Sequence, residues 1–351
     1  MPETTPPITI PFKARAARLL IRLTRSAILM YFLVVLAMFA FQRYLIFPGT
    51  FRAGSPETHV QPDTGSELLH LQSPDGTPLT ALFGKADPAP RNAPPRKNPP
   101  PTILYFYGNG DAMASATAEA DMFRRMGANC MLIDYEGFGM SKGTASEQGC
   151  YNAAQAAYQY VLTRPDVDPK NLIAAGWSLG GAVAIDLAWR HRTDNPFAAL
   201  LTFSTFTSMA DMAKQNYPFL PTSLILRHHF KSLEKIADLK LPYFLGHGQL
   251  DPAIPFTNAD RLATAFPAPT LLTRFTAPTA HHNDFFDAGG EPLETALQKF
   301  LHPFLSPKPY TLRPLTASPA PPPHSPSVAP SCPSPPLPSP PPASPPPPPA
   351  Q

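Results

Sequence analysis

Short, continuous apolar runs alternate with helix-like segments along most of the chain, from residue 102 to residue 305. Parallel strands that are buried on both faces read as such runs, because helices in the crossover connections cover each side of the sheet. The pattern therefore predicts an α/β protein with a mostly parallel central sheet and helices on both faces. The predicted strands lie at 102–110, 130–134, 172–175, 198–204, 241–248 and 270–277, and the predicted helices at 113–127, 147–162, 179–192, 258–266 and 291–305.

The rest of the composition fits a globular domain. Hydrophobic residues make up 43% of the chain, which is enough for a sizeable core. The segment SELLHLQSPDGTPLTALFG predicts a hairpin with its turn at Pro74-Asp75-Gly76. A formal net charge of +3 is too small to indicate a nucleic-acid partner, and none is expected.

The N-terminal part joins a basic segment to a long apolar run. Ala27 to Phe41 is uncharged and mostly apolar, and Ser26 to Phe47 would extend about 33 Å as a helix, enough to cross a bilayer. Arg43 can reach the membrane interface, where Tyr44 would also lie. We therefore expect a basic N-terminal segment at 1–25 and a membrane anchor at 26–47.

Basic residues also predict the orientation of this anchor. Five basic residues precede the span, whereas only Arg43 and Arg52 closely follow it. By the positive-inside rule, the N-terminus is then expected in the cytoplasm. The main domain is then expected on the far side of a single-pass anchor, in the periplasm or another extracytoplasmic space if the protein is bacterial. A cleaved signal peptide is the alternative, although no convincing A-x-A site follows the run. The basic residues before the span are Lys13, Arg15, Arg18, Arg22 and Arg25.

Proline dominates the C-terminal segment, residues 306–351. Of the fifty prolines in the chain, twenty-one follow Ser306. Proline cannot continue helices or central strands, and so few apolar side chains cannot offset the entropy lost on ordering. We expect a disordered, extended tail, whose partner, if it has one, is unknown. The catalytic domain is then predicted at 48–305.

Gly176-Trp177-Ser178-Leu179-Gly180 lies between a predicted strand and a predicted helix. This context is that of a nucleophile elbow, where a serine occupies a strained turn, with a positive φ expected, at the carboxyl end of a strand. The two glycines let the strand and the helix approach without a Cβ clash. The Leu179 N–H, at the start of the helix, would point toward a developing oxyanion.

A serine needs a neighbouring base that is oriented by an acid. In hydrolases with this elbow, the acid follows the serine in the chain and the histidine follows the acid. Asp251 lies in a proline-closed loop at the end of a predicted strand, and His281 and His282 follow the next strand. Of the ten histidines, only this pair occupies a strand-end loop downstream of such an acid.

The other reactive residue types have structural interpretations. His247 is expected to be a hydrogen-bonded structural histidine, and His228 and His229 are expected to be exposed or to line a cap. Asp134 and Glu136 are expected to shape a turn beneath the nucleophile. Histidine and cysteine spacings indicate no metal site, and the glycine-rich loop at 108–110 lacks the nucleotide-binding motifs. No cofactor is expected.

Several segments recur in an order that resembles one family. The chain resembles the membrane-associated α/β-hydrolase-domain serine hydrolases, a branch with depalmitoylase-like enzymes of eukaryotes and bacterial members of unknown substrate. The resemblance covers roughly Gln42 to Leu305. It implies an α/β-hydrolase fold with a small cap, and it implies Ser178 as nucleophile, Asp251 as acid and His282 as base, with His281 as the alternative. The segments are QRYLIFPGTF, DYEGFGMSKG, GWSLGG, STFTSMADMA, PFLPTSLILRHHFKSLEKIADLKLPYFLGHGQLDPAIPF and HHNDFF.

The chain departs from that family at two places. The family usually has His-Gly-Asn after its third strand, where this chain has Tyr107-Gly108-Asn109. Because the donor there is a backbone N–H, the resemblance implies Asn109 as the second oxyanion donor beside Leu179, with Gly110 as its neighbour. The Tyr107 phenol is expected to keep a polar contact near this loop. The segment FSTFTS lacks the acidic residue and proline of relatives, which weakens any inference about substrate.

These features predict a membrane-anchored serine hydrolase of the carboxylesterase or thioesterase type, EC class 3.1. Its partners would be an acyl ester or thioester substrate and the lipid bilayer. Aspartate-dependent dehalogenase or epoxide hydrolase chemistry is disfavoured, because a serine stands at the nucleophile position. An acyltransferase with the same triad and a catalytically silent adaptor are the alternatives. An adaptor would have no need of serine, acid and histidine together.

Overall fold

The computed structural model describes residues 12–88 and 98–305. The predicted proline-rich tail at 306–351 lies outside the described residues, as do the first eleven residues of the predicted basic segment. The division into an anchor, a catalytic domain and a tail therefore stays a prediction.

Eight strands form one sheet in the order β1-β2-β4-β3-β5-β6-β7-β8. β1 pairs with β2 and β2 with β4 in antiparallel fashion, and all the other pairs are parallel. The prediction of a mostly parallel sheet is confirmed, and so is the hairpin, which is formed by β1 and β2. The strands are β1 (Ser66–Gln72), β2 (Pro78–Gly84), β3 (Thr102–Phe106), β4 (Asn129–Ile133), β5 (Leu172–Trp177), β6 (Ala199–Phe203), β7 (Tyr243–Gly248) and β8 (Leu272–Ala277).

Nine α-helices accompany these strands in the described part of the chain. The predicted bounds of α3 are the observed ones, because the N-cap Ser146 marks the start of an alanine-rich helix. The last helix begins six residues before its predicted start, and a kink at Gly290 (φ 43°) lies inside it. The helices are α1 (Phe12–Ile46), α2 (Thr117–Arg125), α3 (Glu147–Leu162), α4 (Leu179–Arg190), α5 (Met209–Asn216), α6 (Thr222–Ile225), α7 (Ser232–Ile236), α8 (Thr257–Ala265) and α9 (Phe285–Leu305).

The central strands carry the core. Every residue of β3, β4 and β6 is buried, as are the first five residues of β5. Burial on both faces explains why these strands are continuous apolar runs in the sequence. Between β6 and β7 the chain leaves the sheet and forms the three short helices α5, α6 and α7. We call residues 205–240 the cap.

Helix α1 covers the predicted anchor except its last residue, Phe47, and extends well beyond it toward the N-terminus. Within the described residues, it is the one helix whose length and apolar composition suffice to cross a membrane, over Arg15–Ile46, and its most apolar 18-residue stretch has a mean hydropathy of 2.0. Its apolar side chains are largely exposed, which is unlike a helix of a buried core. Length and composition alone do not distinguish an anchor from a signal sequence.

The two elbow glycines bring α4 into contact with the central strands. A Cβ atom on Gly176 would lie 2.1 Å from the Gly180 carbonyl oxygen. A Cβ atom on Gly180 would lie 1.9 Å from the Phe106 carbonyl oxygen at the end of β3. Only glycine permits these two approaches, so the spacing of the motif follows from packing.

Replacing Gly180 with alanine should therefore destabilise the fold. The new methyl group has backbone as its neighbour, which cannot move aside, and we expect a loss of about 1–3 kcal/mol or more in the free energy of unfolding. Urea denaturation monitored by circular dichroism measures this loss. Gly110→Ala is the matched control, because no heavy atom lies within 4 Å of its added Cβ. Equal stability of the two variants would contradict this packing argument.

Candidate active site

Ser178 lies at the turn between β5 and α4. Its backbone has φ 55° and ψ −119°, so the predicted positive φ is confirmed. The Ser178 N–H donates to the Phe203 carbonyl (2.8 Å), and the Thr205 hydroxyl donates to the Ser178 carbonyl (2.8 Å). These two bonds hold a backbone conformation that a non-glycine residue rarely adopts.

The structure brings Asp251 and His282 to this serine. His282 Nε2 lies 3.0 Å from Ser178 Oγ, and His282 Nδ1 lies 2.7 Å from Asp251 Oδ2. The other carboxylate oxygen of Asp251 accepts from the N–H groups of Ala253 and Ile254, at 2.9 and 2.8 Å. The carboxylate is thus fixed by its own loop and orients the imidazole.

The neighbouring histidine occupies a different environment. His281 is exposed, and its ring Nδ1 lies 3.5 Å from Asp284 Oδ2. Its backbone N–H donates to Asp284 Oδ1 at 2.6 Å, so Asp284 closes the turn. The geometry therefore joins Ser178 to His282 rather than to His281, while the catalytic roles themselves stay predictions.

The two predicted oxyanion donors follow the ends of two neighbouring strands, β3 and β5. Leu179 is the buried first residue of α4. Asn109 follows β3 and lines a cavity of about 400 Å³, together with Gly110, Trp177 and His282. Asn109 is also tied to the end of α1, because its side-chain amide donates to the Ile46 carbonyl (2.9 Å). The role of Leu179 and Asn109 as oxyanion donors stays a prediction.

Tyr107 makes the polar contact expected of it. Its hydroxyl donates to Asp134 Oδ1 (2.8 Å) and accepts from the Tyr135 N–H (3.2 Å). The Asp134 carboxylate also accepts from the N–H groups of Met113 and Met140, both at 2.7 Å. Burial raises the pKa of Asp134, and it raises the pKa of Tyr107 well above its usual range. The tyrosine thus serves the buried loop structure beneath the elbow.

Tyr107→Phe should lower stability by about 1–3 kcal/mol, because it removes the donor to a buried carboxylate and the acceptor of a buried N–H. Chemical denaturation measures the change. Tyr217→Phe provides the comparison, since the Tyr217 hydroxyl makes no hydrogen bond to the described residues. If the two variants were equally stable, the Tyr107 hydroxyl would contribute nothing to the fold.

His247 is the second buried histidine near the site. Its Nε2 lies 2.8 Å from the Ile254 carbonyl, whereas its Nδ1 has no hydrogen-bond partner among the described residues. The neutral tautomer with a proton on Nε2 fits this environment, since a second proton on Nδ1 would find no acceptor. Burial lowers the pKa of His247 below its ordinary value of about 6.5. The prediction of a structural histidine agrees with the Nε2 contact.

A lowered pKa in the folded state has a definite sign for stability. The unfolded chain binds a proton at this histidine near pH 6.5, whereas the folded chain does not, so the contribution of His247 is lost as pH falls below about 6.5. The slope for one group is at most about 1.4 kcal/mol per pH unit. His247→Gln should therefore lose less stability between pH 7 and pH 5 than the parent, as measured by urea denaturation. His70→Gln, an exposed site, should behave like the parent, and parallel curves for all three would overturn this assignment.

Sequence reasoning missed two contacts close to Ser178. The ring centroid of Trp177 lies 4.9 Å from that of His282. Its position inside the G-x-S-x-G motif could have indicated that Trp177 lies close to the catalytic histidine predicted here. No pattern pointed to the Thr205 bond described above. His228 and His229 are half-buried: Glu147 N–H donates to His228 Nδ1 (3.3 Å), and His229 N–H donates to Glu147 Oε2 (2.6 Å). They attach the cap to α3.

Among the described residues, no group of three histidine, cysteine or carboxylate side chains is arranged to hold a metal ion. The two cysteines in this part of the chain, Cys130 and Cys150, are buried, and burial raises the pKa of both thiols. Neither thiol carries a reactive signature.

A strand, a serine elbow and a following helix on a mostly parallel sheet define the α/β-hydrolase class. Residues 115–271 match the prolyl oligopeptidase family. The chain is 31% identical to the α/β-hydrolase domain-containing protein WAV2 of Arabidopsis thaliana over 273 residues, 72% of this chain and 84% of that protein. It is 34% identical to an uncharacterized protein of Mycobacterium tuberculosis over 201 residues, 57% of this chain and 69% of that protein. The chain belongs to the α/β-hydrolase family.

Solved structures share the fold at lower identity. A puromycin-hydrolyzing peptidase of Mycobacterium tuberculosis superposes with a TM-score of 0.56 at 21% identity, covering 71% of this chain and 41% of that one. An esterase of Pyrococcus furiosus gives 0.54 at 14% identity, covering 69% and 92%. Family membership, together with a serine at the elbow, supports a serine hydrolase in general.

Proposed function

We propose that the protein is a membrane-anchored serine hydrolase that cleaves a carboxylic ester or thioester through an acyl-enzyme. One observation carries this proposal: the His282 imidazole bridges Ser178 Oγ (3.0 Å) and the Asp251 carboxylate (2.7 Å). An isolated serine is a weak nucleophile, and a hydrogen-bonded base held by an acid is what activates it.

In the first half-reaction, Ser178 Oγ attacks the carbonyl carbon while its proton passes to His282 Nε2. Asp251 stabilises the imidazolium that forms, and the N–H groups of Ala253 and Ile254 hold its carboxylate in place by donating to its other oxygen. The C–O or C–S bond of the tetrahedral intermediate then breaks. His282 gives its proton to the leaving alkoxide or thiolate, and Ser178 remains acylated.

In the second half-reaction, water attacks the acyl carbon and loses its proton to His282. The bond to Ser178 Oγ breaks, and His282 returns the proton to the serine. In both halves the carbonyl oxygen becomes negative, and the N–H groups of Leu179 and Asn109 would donate to it. The start of α4 adds the favourable field of a helix N-terminus.

The membrane part of the proposal assigns α1 as a single-pass anchor. Support comes from its apolar, exposed surface and from the basic residues that precede its uncharged stretch. By the positive-inside rule, the basic end lies in the cytoplasm and the hydrolase domain on the far side. The Asn109 bond to Ile46 supports an anchor that is retained, because cleavage after residue 46 would remove the acceptor.

Amide cleavage is a second candidate reaction. The match to the prolyl oligopeptidase family over 115–271 includes Ser178 and Asp251, and peptide bonds can be cleaved by the same sequence of steps. Parallel panels of p-nitrophenyl esters, acyl thioesters and aminoacyl anilides distinguish these substrates. An ester or thioester preference supports the first candidate, and an anilide preference supports the second.

Labelling with a fluorophosphonate probe tests the triad directly in detergent-solubilised protein. Ser178→Ala should abolish labelling, and His282→Ala should slow it by about two to four orders of magnitude, since it removes the general base. His281→Ala, the matched control on the neighbouring residue, should label like the parent.

Two results would contradict the proposal. Loss of labelling in His281→Ala, with labelling kept in His282→Ala, would show that His281 rather than His282 is the base. A folded parent that never labels would favour an adaptor that keeps the hydrolase fold without its chemistry.

A further inference from the structure

The cap lies against the last part of α1. Tyr31 Oη donates to the Phe219 carbonyl (3.0 Å), and the Arg227 guanidinium lies 4.0 Å from the centre of the Phe39 ring. The side chains of α1 that are not exposed recur three or four residues apart, so they lie on one face of the helix. They are Val35, Met38, Phe39, Gln42, Arg43, Ile46 and, just after the helix, Phe47.

These contacts extend far along the proposed membrane span. Arg25 and Arg43 bound the uncharged stretch of α1, which is about 27 Å long at 1.5 Å per residue. Tyr31 lies twelve residues before Arg43, so the Phe219 contact is about 18 Å along the helix from the charged end. A tilt of 40° shortens that depth to about 14 Å, which is still inside a hydrocarbon layer about 30 Å thick.

Much of the cap backbone at this depth is hydrogen-bonded, as a lipid environment favours. Gln42, a polar residue within the apolar stretch, donates to the Ile225 carbonyl (2.9 Å) and accepts from the Arg227 N–H (2.8 Å). Within the cap, the N–H groups of Leu220, Thr222, Leu224 and Leu226 each donate to a nearby carbonyl. The amide of Gln42 and the cap backbone thus satisfy each other.

The same cap segment exposes large apolar side chains. Phe219 is 62% exposed and Leu224 is 83% exposed, although both lie within a few residues of the α1 contacts. Beside them, α1 presents its own exposed apolar surface, including Leu33 and Leu36. The two surfaces are continuous in the structure, because Tyr31 and Gln42 bond to the cap on either side of this stretch.

We propose that cap residues 217–226 insert into the lipid bilayer beside α1, with Phe219 and Leu224 in contact with acyl chains. This inference rests on the proposed membrane anchoring, and its occupant is the bilayer itself. A segment that exposes apolar side chains and pairs its backbone hydrogen-bonding groups internally is suited to such insertion. The cap that borders the elbow would then open toward the membrane rather than toward bulk water.

Site-specific fluorescence in vesicles tests this surface. The full chain carries Cys332→Ser, while Cys130 and Cys150 are buried and do not react. Single cysteines replace Phe219 or Leu224, and each is labelled with an environment-sensitive dye. Vesicles of phosphatidylcholine and phosphatidylglycerol carry nitroxide quenchers on their acyl chains. Leu33→Cys on α1 is the membrane control, and Leu271→Cys, an exposed apolar site before β8, is the water control.

The proposal predicts blue-shifted emission and strong quenching at positions 219 and 224, matching position 33, with neither effect at position 271. Thermal unfolding of each variant verifies that the substitutions at these exposed sites leave the fold intact. Quenching at 33 alone would overturn the cap insertion and leave the anchor in place.

The remaining outcomes separate other failures. Absence of quenching at all four sites would refute membrane anchoring, and cap insertion with it, while fluorophosphonate labelling of Ser178 would be unaffected. Shielding of the 219 and 224 dyes in detergent, dependent on protein concentration and independent of lipid, would show that a second copy of the chain covers this surface.

Discussion

The approach of α4 to the ends of β3 and β5 is the contact on which the rest of the structure depends. Gly176 and Gly180 let the helix start against backbone atoms that would lie within about 2 Å of any Cβ. That approach forces Ser178 into its left-handed conformation, with the serine hydroxyl facing His282 and the Leu179 N–H at the helix start. Stability and chemistry therefore rest on the same few atoms, as is common where strain lies at a functional site.

Most of the fold was predictable because buried parallel strands leave a clear record in the sequence. Every strand predicted from an apolar run is present, and α3 matches residue for residue, since its alanines and its N-cap serine act locally. The start of α9 was harder to predict from the sequence. Its first residues are held by the turn around Asp284 and end at the Gly290 kink, and neither leaves a periodic signal.

The residues of the candidate site were predictable from motifs and from the family resemblance, but the choice between its two histidines was not predictable from spacing alone. Its serine and acid stand in motifs with a fixed chain context, but two adjacent histidines share one loop. Only the direction of each side chain decides between them, and spacing does not encode direction. Contacts distant in sequence were likewise out of reach: the Tyr107–Asp134 bond, the Glu147 contacts of the cap and the seating of the cap on α1 join residues with no shared pattern.

The hydrogen bond from Asn109 to Ile46 gives the N-terminal helix a second significance. Phe47, which follows directly, is fully buried against Phe138, His228 and Phe230. The helix end is therefore an integral part of the domain rather than a detachable tether. A water-soluble truncation that starts after residue 47 would uncover this aromatic cluster and release the loop beside the elbow. Any form shortened for biochemical work needs to keep Gln42 to Phe47 and to replace only the exposed apolar turns before them.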